Sequence, residues 1–292
     1  MNTKRNIIRW AGSKRLLLDH LSKSFPDKIH GKYIEPFVGS SSVLSWFDRD
    51  YLFKDLQIII NDKNSELINF YKVIKDKFKE FDKEIKKEQT YFLSLRKNKK
   101  NDYYKDKVNH NSKELMYQSL TKPIVSRAIR FYILNRLSFN GIYRVNAKGK
   151  YNVPMDKTKE NIFYDQEVAE NLHKILYNNS VRIYNYDYKK IFSLANKDDF
   201  LYIDPPYYSE KNNSYIGYTK KMFDKTDHEN LYSLCLKISS NKIKFLLSSS
   251  DNKFTKNFFK QQFKIKKVHV RRTINSNVKQ RNIVKELLIK NY

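Results

Sequence analysis

Asp204-Pro205-Pro206-Tyr207 is a stretch whose residue types and order could do chemistry. A carboxylate is followed by two prolines, which fix φ and remove two backbone donors. The Pro205 carbonyl is then an acceptor with no competing N–H beside it. Carboxylate and carbonyl together match the two protons of an exocyclic amine. Tyr207 adds a flat face for a planar ring. An amino-bearing heterocycle, held at its NH2 and stacked, fits this constellation. Accepting both N–H bonds frees the nitrogen lone pair for attack on a methyl donor. The methylated nitrogen is cationic and sheds its proton afterwards, so no strong base is needed. The plainer alternative is a Pro-Pro loop that ends a strand.

Such a carboxylate needs an element that carries it to the edge of a pocket. The run "FLYIDPP" (200–206) reads as a strand, and so do "YIEPFV" (33–38), "LQIIIND" (56–62), "VRIYNYD" (181–187) and "KFLLSSSD" (244–251). Most end on an acid or a polar cluster. Helical patterns separate several of them. "SELINFYKVIKDKF" (65–78) has apolar residues at three-to-four spacing, and "TDHENLYSLCLKISS" (226–240) opens with a capping-box pattern, Thr226 with Glu229. Strands alternating with helices predict an α/β domain with a mainly parallel sheet. In such sheets ligands sit beyond the carboxyl ends of the strands.

The middle of the chain reads differently. Residues 76–118 are thick with Lys, Glu and Asp and predict a solvated helical scaffold. "KPIVSRAIRFYILNRLSF" (122–139) predicts a further helix with Pro123 in its first turn. "NGIYRVNAKGKYNVP" (140–154) predicts a β-hairpin turning at Gly149. An α/β domain is thus interrupted by a helical insert that carries a basic hairpin.

The chain has only six glycines, so each points to a backbone need. Gly39 lies in "EPFVGSSSVL", a strand, a Gly/Ser loop and a helix start, where a cofactor can lie against bare backbone. Asp62 ends the next strand and could accept from two ribose hydroxyls; a helix cap is the plainer role. Asp187 ends the third with Tyr188 beside it, suited to an adenine's amine and ring. Three such strand ends in succession favour a nucleoside-bearing cofactor.

Composition sets outer bounds. Fifty-eight basic residues against 31 acidic give 292 residues a net charge of +27, which favours a polyanionic partner. A Lys-rich compositional bias accounts for part of that. Cys235 is the only cysteine, so no disulfide forms within the chain, and the six histidines lack metal-ligand spacing. No apolar run suits a membrane span, and "MNTKRNIIRW" lacks a signal-peptide pattern. The expectation is a soluble cytoplasmic protein, nucleoid-associated if the polyanion is DNA, with no metal.

In order along the chain, "RWAGSK" (9–14), "EPFVGSSSV" (35–43), "INDKN" (60–64), the 140–154 segment, "DPPYY" (204–208), "YTKKMFDKTDHENL" (218–231), "LLSSSD" (246–251) and "RRTINSN…VKELLIKNY" (271–292) resemble the blocks of Dam-type DNA adenine-N6 methyltransferases. The resemblance implies a Rossmann-like class I methyltransferase sheet with an inserted target-recognition domain. It implies S-adenosyl-L-methionine as donor and a flipped adenine of double-stranded DNA as substrate. By this resemblance the catalytic domain is 1–72 with 181–292, and the recognition insert is 73–180. Trp10 and Lys14 would line the cofactor site, Lys14 near the methionine carboxylate, with Ala11 and Gly12 between them. Pro36, Phe37, Gly39, Ser40 and Ser41 would form the cofactor loop. Asp62 would take the ribose, Asp187 and Tyr188 the cofactor adenine, and Asp204, Pro205, Pro206 and Tyr207 the target adenine. Arg144 would read guanine through O6 and N7. Arg9, Asn140, Ile142 and Pro154 occupy matching DNA-contacting positions, and the hairpin resembles members that read GATC. Ser41 departs from the family pattern, which often has a second glycine there. The family also implies a restriction endonuclease acting on the same site, with no stable complex. Competing readings are a methyltransferase acting on RNA or a protein amide, and an inert basic DNA-binding relic.

Overall fold

The computed structural model describes residues 6–10, 12–47, 56–114, 122–146, 150–156, 158, 163–178, 180–208, 223–271 and 283–292. Ala11, Gly149, Gly217 and the stretches 218–222 and 272–282 lie outside the described residues. Two compact units emerge. One comprises 1–11 with Asp62–Asn178; the other comprises Gly12–Asn61 with the described residues from 180 onward.

The second unit is built on strands β1 (Tyr33–Glu35), β2 (Gln57–Asn61), β3 (Ser180–Tyr184), β4 (Phe200–Ile203), β5 (Lys244–Ser250), β6 (Lys264–Arg271) and β7 (Ile283–Lys290). Among the described residues they form one sheet in the order β3-β2-β1-β4-β5-β7-β6. The first five are parallel, with Ile34 opposite Ile59 and Leu201, and Leu201 opposite Phe245. β7 runs antiparallel to both β5 and β6. This is the Rossmann-like sheet the sequence implied. β1 and β4 are buried at every position, as expected of parallel strands covered on both faces. Ile34, Leu201, Ile203, Phe245, Leu247, Leu287 and Ile289 share the core. Each such side chain contributes about 1.5–3 kcal/mol of burial. β6 alternates lysines with apolar residues and forms a sheet edge, where exposed Lys264 and Lys266 discourage strand addition.

The described helices are α1 (Leu18–Ser22), α2 (Ser42–Phe47), α3 (Ser65–Asp76), α4 (Phe78–Ser94), α5 (Lys97–Glu114), α6 (Val125–Leu137), α7 (Gln166–Asn178), α8 (Tyr188–Phe192), α9 (Lys225–Ser240) and α10 (Lys253–Phe259). Two local expectations need correction. The capping box of α9 is Asp224 with Asp227, not Thr226 with Glu229, because the helix starts earlier. Pro123 precedes the N-cap of α6, Ile124, and lies outside the first turn.

The first unit packs α3, α4 and α6 around an aromatic core. Phe70 stacks on Tyr132 (5.9 Å between ring centres, 11° between planes), and Phe81 meets Tyr132 edge-on. A buried ion pair joins Glu66 of α3 to Arg127 of α6. The hairpin is present as two isolated antiparallel bridges, Ser138 with Met155 and Val145 with Tyr151. Its first arm begins in a 3-10 turn, Phe139–Gly141, rather than in a regular strand.

Candidate active site

β4 delivers Asp204 to the carboxyl edge of the sheet, as the sequence requires. Two partners hold its carboxylate. Lys14 Nζ lies 2.8 Å from Oδ1, and Ser248 Oγ donates to the same oxygen at 2.9 Å. Ser248 comes from neighbouring β5 and also lies 3.1 Å from the Tyr202 hydroxyl. Lys14 belongs to a 3-10 turn, is 5% exposed, and also donates to the Gly12 carbonyl at 2.5 Å. The resemblance put Lys14 near the cofactor's carboxylate; the geometry here puts it on Asp204. The same ammonium lies 4.7 Å from the centre of the Tyr207 ring, a cation–π distance.

Two further carboxylates approach. Glu35 ends β1, is 2% exposed, and accepts from the Tyr33 hydroxyl. Burial pushes its pKa up to about 8; Tyr33 opposes the shift and Asp204 adds to it. Glu286 of β7 accepts from the Tyr207 hydroxyl at 2.7 Å. Burial likewise raises the Asp204 pKa, with Lys14 and Ser248 opposing and Glu286 adding.

The loop after β1 is set by two left-handed residues, Gly39 (φ +46°) and Ser41 (φ +52°). Ser42 Oγ lies 2.8 Å from Ser40 Oγ and 2.9 Å from Ser13 Oγ, tying this loop to the one that carries Gly12 and Lys14. Pro36 is buried and Phe37 half-buried. Phe37 packs against Tyr188 (5.3 Å) and Phe223 (5.8 Å). Asp187 caps α8, accepting from Lys189 N at 3.1 Å, and its side chain is exposed. Asn61 is a site residue that sequence reasoning missed. Its amide donates to the carbonyls of Pro36 (2.9 Å) and Tyr186 (3.1 Å) and accepts from Tyr186 N (2.8 Å). One side chain thereby fixes the ends of β1, β2 and β3. It was legible only as the residue before Asp62.

In the first unit, Asp62 accepts from Asn64 N at 2.9 Å, and Asn64 itself caps α3. The Trp10 ring stacks on Tyr143 (6.1 Å, 24°). Asn135, fully buried, accepts from Arg9 N at 2.8 Å and donates to Arg9 O at 2.6 Å, placing Arg9 beside the hairpin. Gly141 has φ +65°, and an added Cβ would overlap the Arg9 side chain, so only glycine fits. Asn140 is exposed and also left-handed (φ +55°). Arg144 Nε donates to Asn152 Oδ1 across the hairpin at 2.9 Å. Pro154 is exposed and Ile142 half-buried on the same hairpin.

A parallel sheet closed by an antiparallel strand pair, with a buried carboxylate and two prolines at the end of β4, is consistent with a Rossmann-like methyltransferase fold. Residues 10–274 match the family described as D12 class N6 adenine-specific DNA methyltransferase, and the chain belongs to it. The chain is 33% identical to the type II methyltransferase M.MjaIII of Methanocaldococcus jannaschii, over 98% of each chain. It is 33% identical to the DNA adenine methylase of Haemophilus influenzae, over 97% of this chain and 92% of that one. It is 30% identical to the type II methyltransferase M1.LlaDCHI of Lactococcus lactis subsp. cremoris, over 99% and 95%. A methyl donor follows from the family. Among the described residues no helix is long and apolar enough to cross a membrane.

Proposed function

We propose that this enzyme methylates the exocyclic nitrogen of an adenine flipped out of duplex DNA, within GATC. The supporting observation is the one-sided clamp on Asp204, in which Lys14 and Ser248 both engage Oδ1. Oδ2 then accepts one amine proton and the Pro205 carbonyl accepts the other. Tyr207 stacks on the base. S-adenosyl-L-methionine, when bound, supplies an electrophilic methyl on a sulfonium. We assign its site to Trp10, Ala11, Gly12, Lys14, Pro36, Phe37, Gly39, Ser40, Ser41, Asp62, Asp187, Tyr188 and the edge at Asp204. With both protons held, the amine lone pair is free to attack. Asp204 Oδ2 is the first acceptor for the proton released afterwards. Orientation within this frame supplies much of the rate. Lys14, by holding Asp204 as a carboxylate, keeps it an acceptor.

Recognition belongs to the insert (73–180) and chemistry to 1–72 with 181–292. Arg144 reads guanine through O6 and N7, supported by Asn152, which accepts from Nε at 2.9 Å and from Nη2 at 3.4 Å and so orients the guanidinium. Arg9, Asn140, Ile142 and Pro154 contact the same DNA. Two relatives are named type II methyltransferases, and on that basis we extend to this chain a restriction endonuclease of shared site as functional counterpart, in the cytoplasm.

Asp204→Ala is the test. Duplex oligonucleotides with and without GATC, and single-stranded RNA, are incubated with labelled S-adenosyl-L-methionine. Label should enter only GATC duplex with the wild type and nothing with the variant, while donor binding persists. A variant methylating near the wild-type rate would remove Asp204 from the mechanism. Label in RNA alone would overturn the choice of substrate.

A further inference from the structure

Glu286 is a buried carboxylate in a strand that otherwise has no use for one. It lies on β7, 8% exposed, opposite Ser250 of β5 and Val268 of β6. Leu288, two residues on and on the same face, is 2% exposed and apolar. An ionised group at such a place is unfavourable unless it is hydrogen-bonded. Its partner is the hydroxyl of Tyr207, at 2.7 Å.

That single bond fixes what the backbone leaves loose. Pro205 and Pro206 hold the chain up to Tyr207, but the tilt of the Tyr207 ring depends on side-chain torsions, and the ring torsion of tyrosine is broad. Lys14 bears on the ring at 4.7 Å from its centre and on Asp204 at 2.8 Å. Glu286 holds the far end of the same ring. On the next residue, the Tyr208 ring stacks on Phe254 of α10 (4.1 Å, 18°), anchoring the chain beyond. The ring face is therefore set from three sides relative to the carboxylate that accepts the amine.

We propose that Glu286 is a positioning residue for methyl transfer, acting through the Tyr207 hydroxyl to hold the ring face parallel to the target base. It rests on the reading of Asp204–Tyr207 as the adenine site. Glutamine keeps an acceptor oxygen at this place; alanine does not.

The test is single-turnover methylation of a GATC duplex with S-adenosyl-L-methionine. It uses the wild type, Glu286→Ala, Glu286→Gln, Tyr207→Phe and the double variant Tyr207→Phe/Glu286→Ala. Glu286→Ala should slow transfer about tenfold, with the KM for S-adenosyl-L-methionine changed less than about twofold. Glu286→Gln should recover most of the rate. In the Tyr207→Phe background, Glu286→Ala should produce no further slowing, the non-additivity expected of groups that act as a unit. Equal loss in the Ala and Gln variants, or a full further tenfold loss in the double variant, overturns the proposal. If Glu286→Ala does not fold, Tyr207→Phe must still slow transfer and Glu286→Gln must still be near wild type. A wild type that methylates while Asp204→Ala does not, with all Glu286 variants unaffected, removes only the role of Glu286. A wild type that methylates no adenine in DNA removes the site reading and this proposal together.

Discussion

Replacing Ser41 by glycine should make this protein more stable. Ser41 holds φ +52°, a left-handed conformation that disfavours a Cβ by roughly 1–2 kcal/mol. The residue is 1% exposed, and its Oγ is buried with no hydrogen-bond partner among the described residues. An unsatisfied buried hydroxyl costs about 1–3 kcal/mol. Glycine removes both penalties and adds back ~0.5–1 kcal/mol of unfolded-chain entropy. The backbone bonds of the loop, Ser41 N to Val38 O and Ser45 N to Ser41 O, do not involve the side chain and survive. The net gain is on the order of 2 kcal/mol, which at this chain length raises Tm by about 4 °C. Thermal and urea unfolding of the ligand-free enzyme measure it. Ser41→Ala separates the contributions, since alanine loses the hydroxyl but keeps the Cβ; it should fall short of the glycine gain by about 0.5–1 kcal/mol. No change, or a loss, with glycine would refute the reasoning. It would mean that the hydroxyl has a compensating partner or that the left-handed turn carries no strain.

Other outcomes follow from features already described. Glu35 has a folded pKa raised to about 8 by burial, so the stability linked to its proton is fully present below about pH 4.5 and lost as pH rises through 8. Between those limits wild-type stability should fall by up to about 1.4 kcal/mol per pH unit from this group, a slope that Glu35→Gln should abolish in pH-dependent unfolding. A variant with the same slope would assign the proton elsewhere. Glu66→Ala removes a carboxylate partner from the buried Arg127 guanidinium and should destabilise by about 3–5 kcal/mol in denaturant unfolding. Arg144→Ala should relax discrimination at one guanine by about 1–3 kcal/mol in competition with substituted sites. Uniform weakening across all sites would instead mark Arg144 as a phosphate contact.

The parallel half of the sheet was legible because its strands are apolar runs ending on acids or polar clusters, as "LYID" and "IIIND" do. The antiparallel strands were not read as strands. In β6 a lysine stands at three of eight positions, which hides the alternation of Val268 and Val270 with exposed residues. Sequence also carried Asp204 to the end of β4, since an apolar run that meets an acid and two prolines must stop there. It could not carry Glu286 or Asn61 to the site. The first reaches Tyr207 from 79 residues away through sheet order, and the second is defined by two loops that meet only after folding. Ser41 was visible as a departure from glycine, but its left-handed backbone is a property of the folded loop. The capping of α9 was misread because Asp224 and Thr226 are both good caps, and only the helix start decides between them.

β7 is the last strand along the chain, yet it lies inside the sheet, between β5 and β6. A ribosome therefore releases β5 and β6 before the strand that joins them exists. Until β7 inserts, β5 presents bare peptide groups along one side, the kind of template on which nascent chains aggregate. The insertion also brings Glu286 to the phenol of Tyr207, so closing the gap in the sheet and setting the ring are one event.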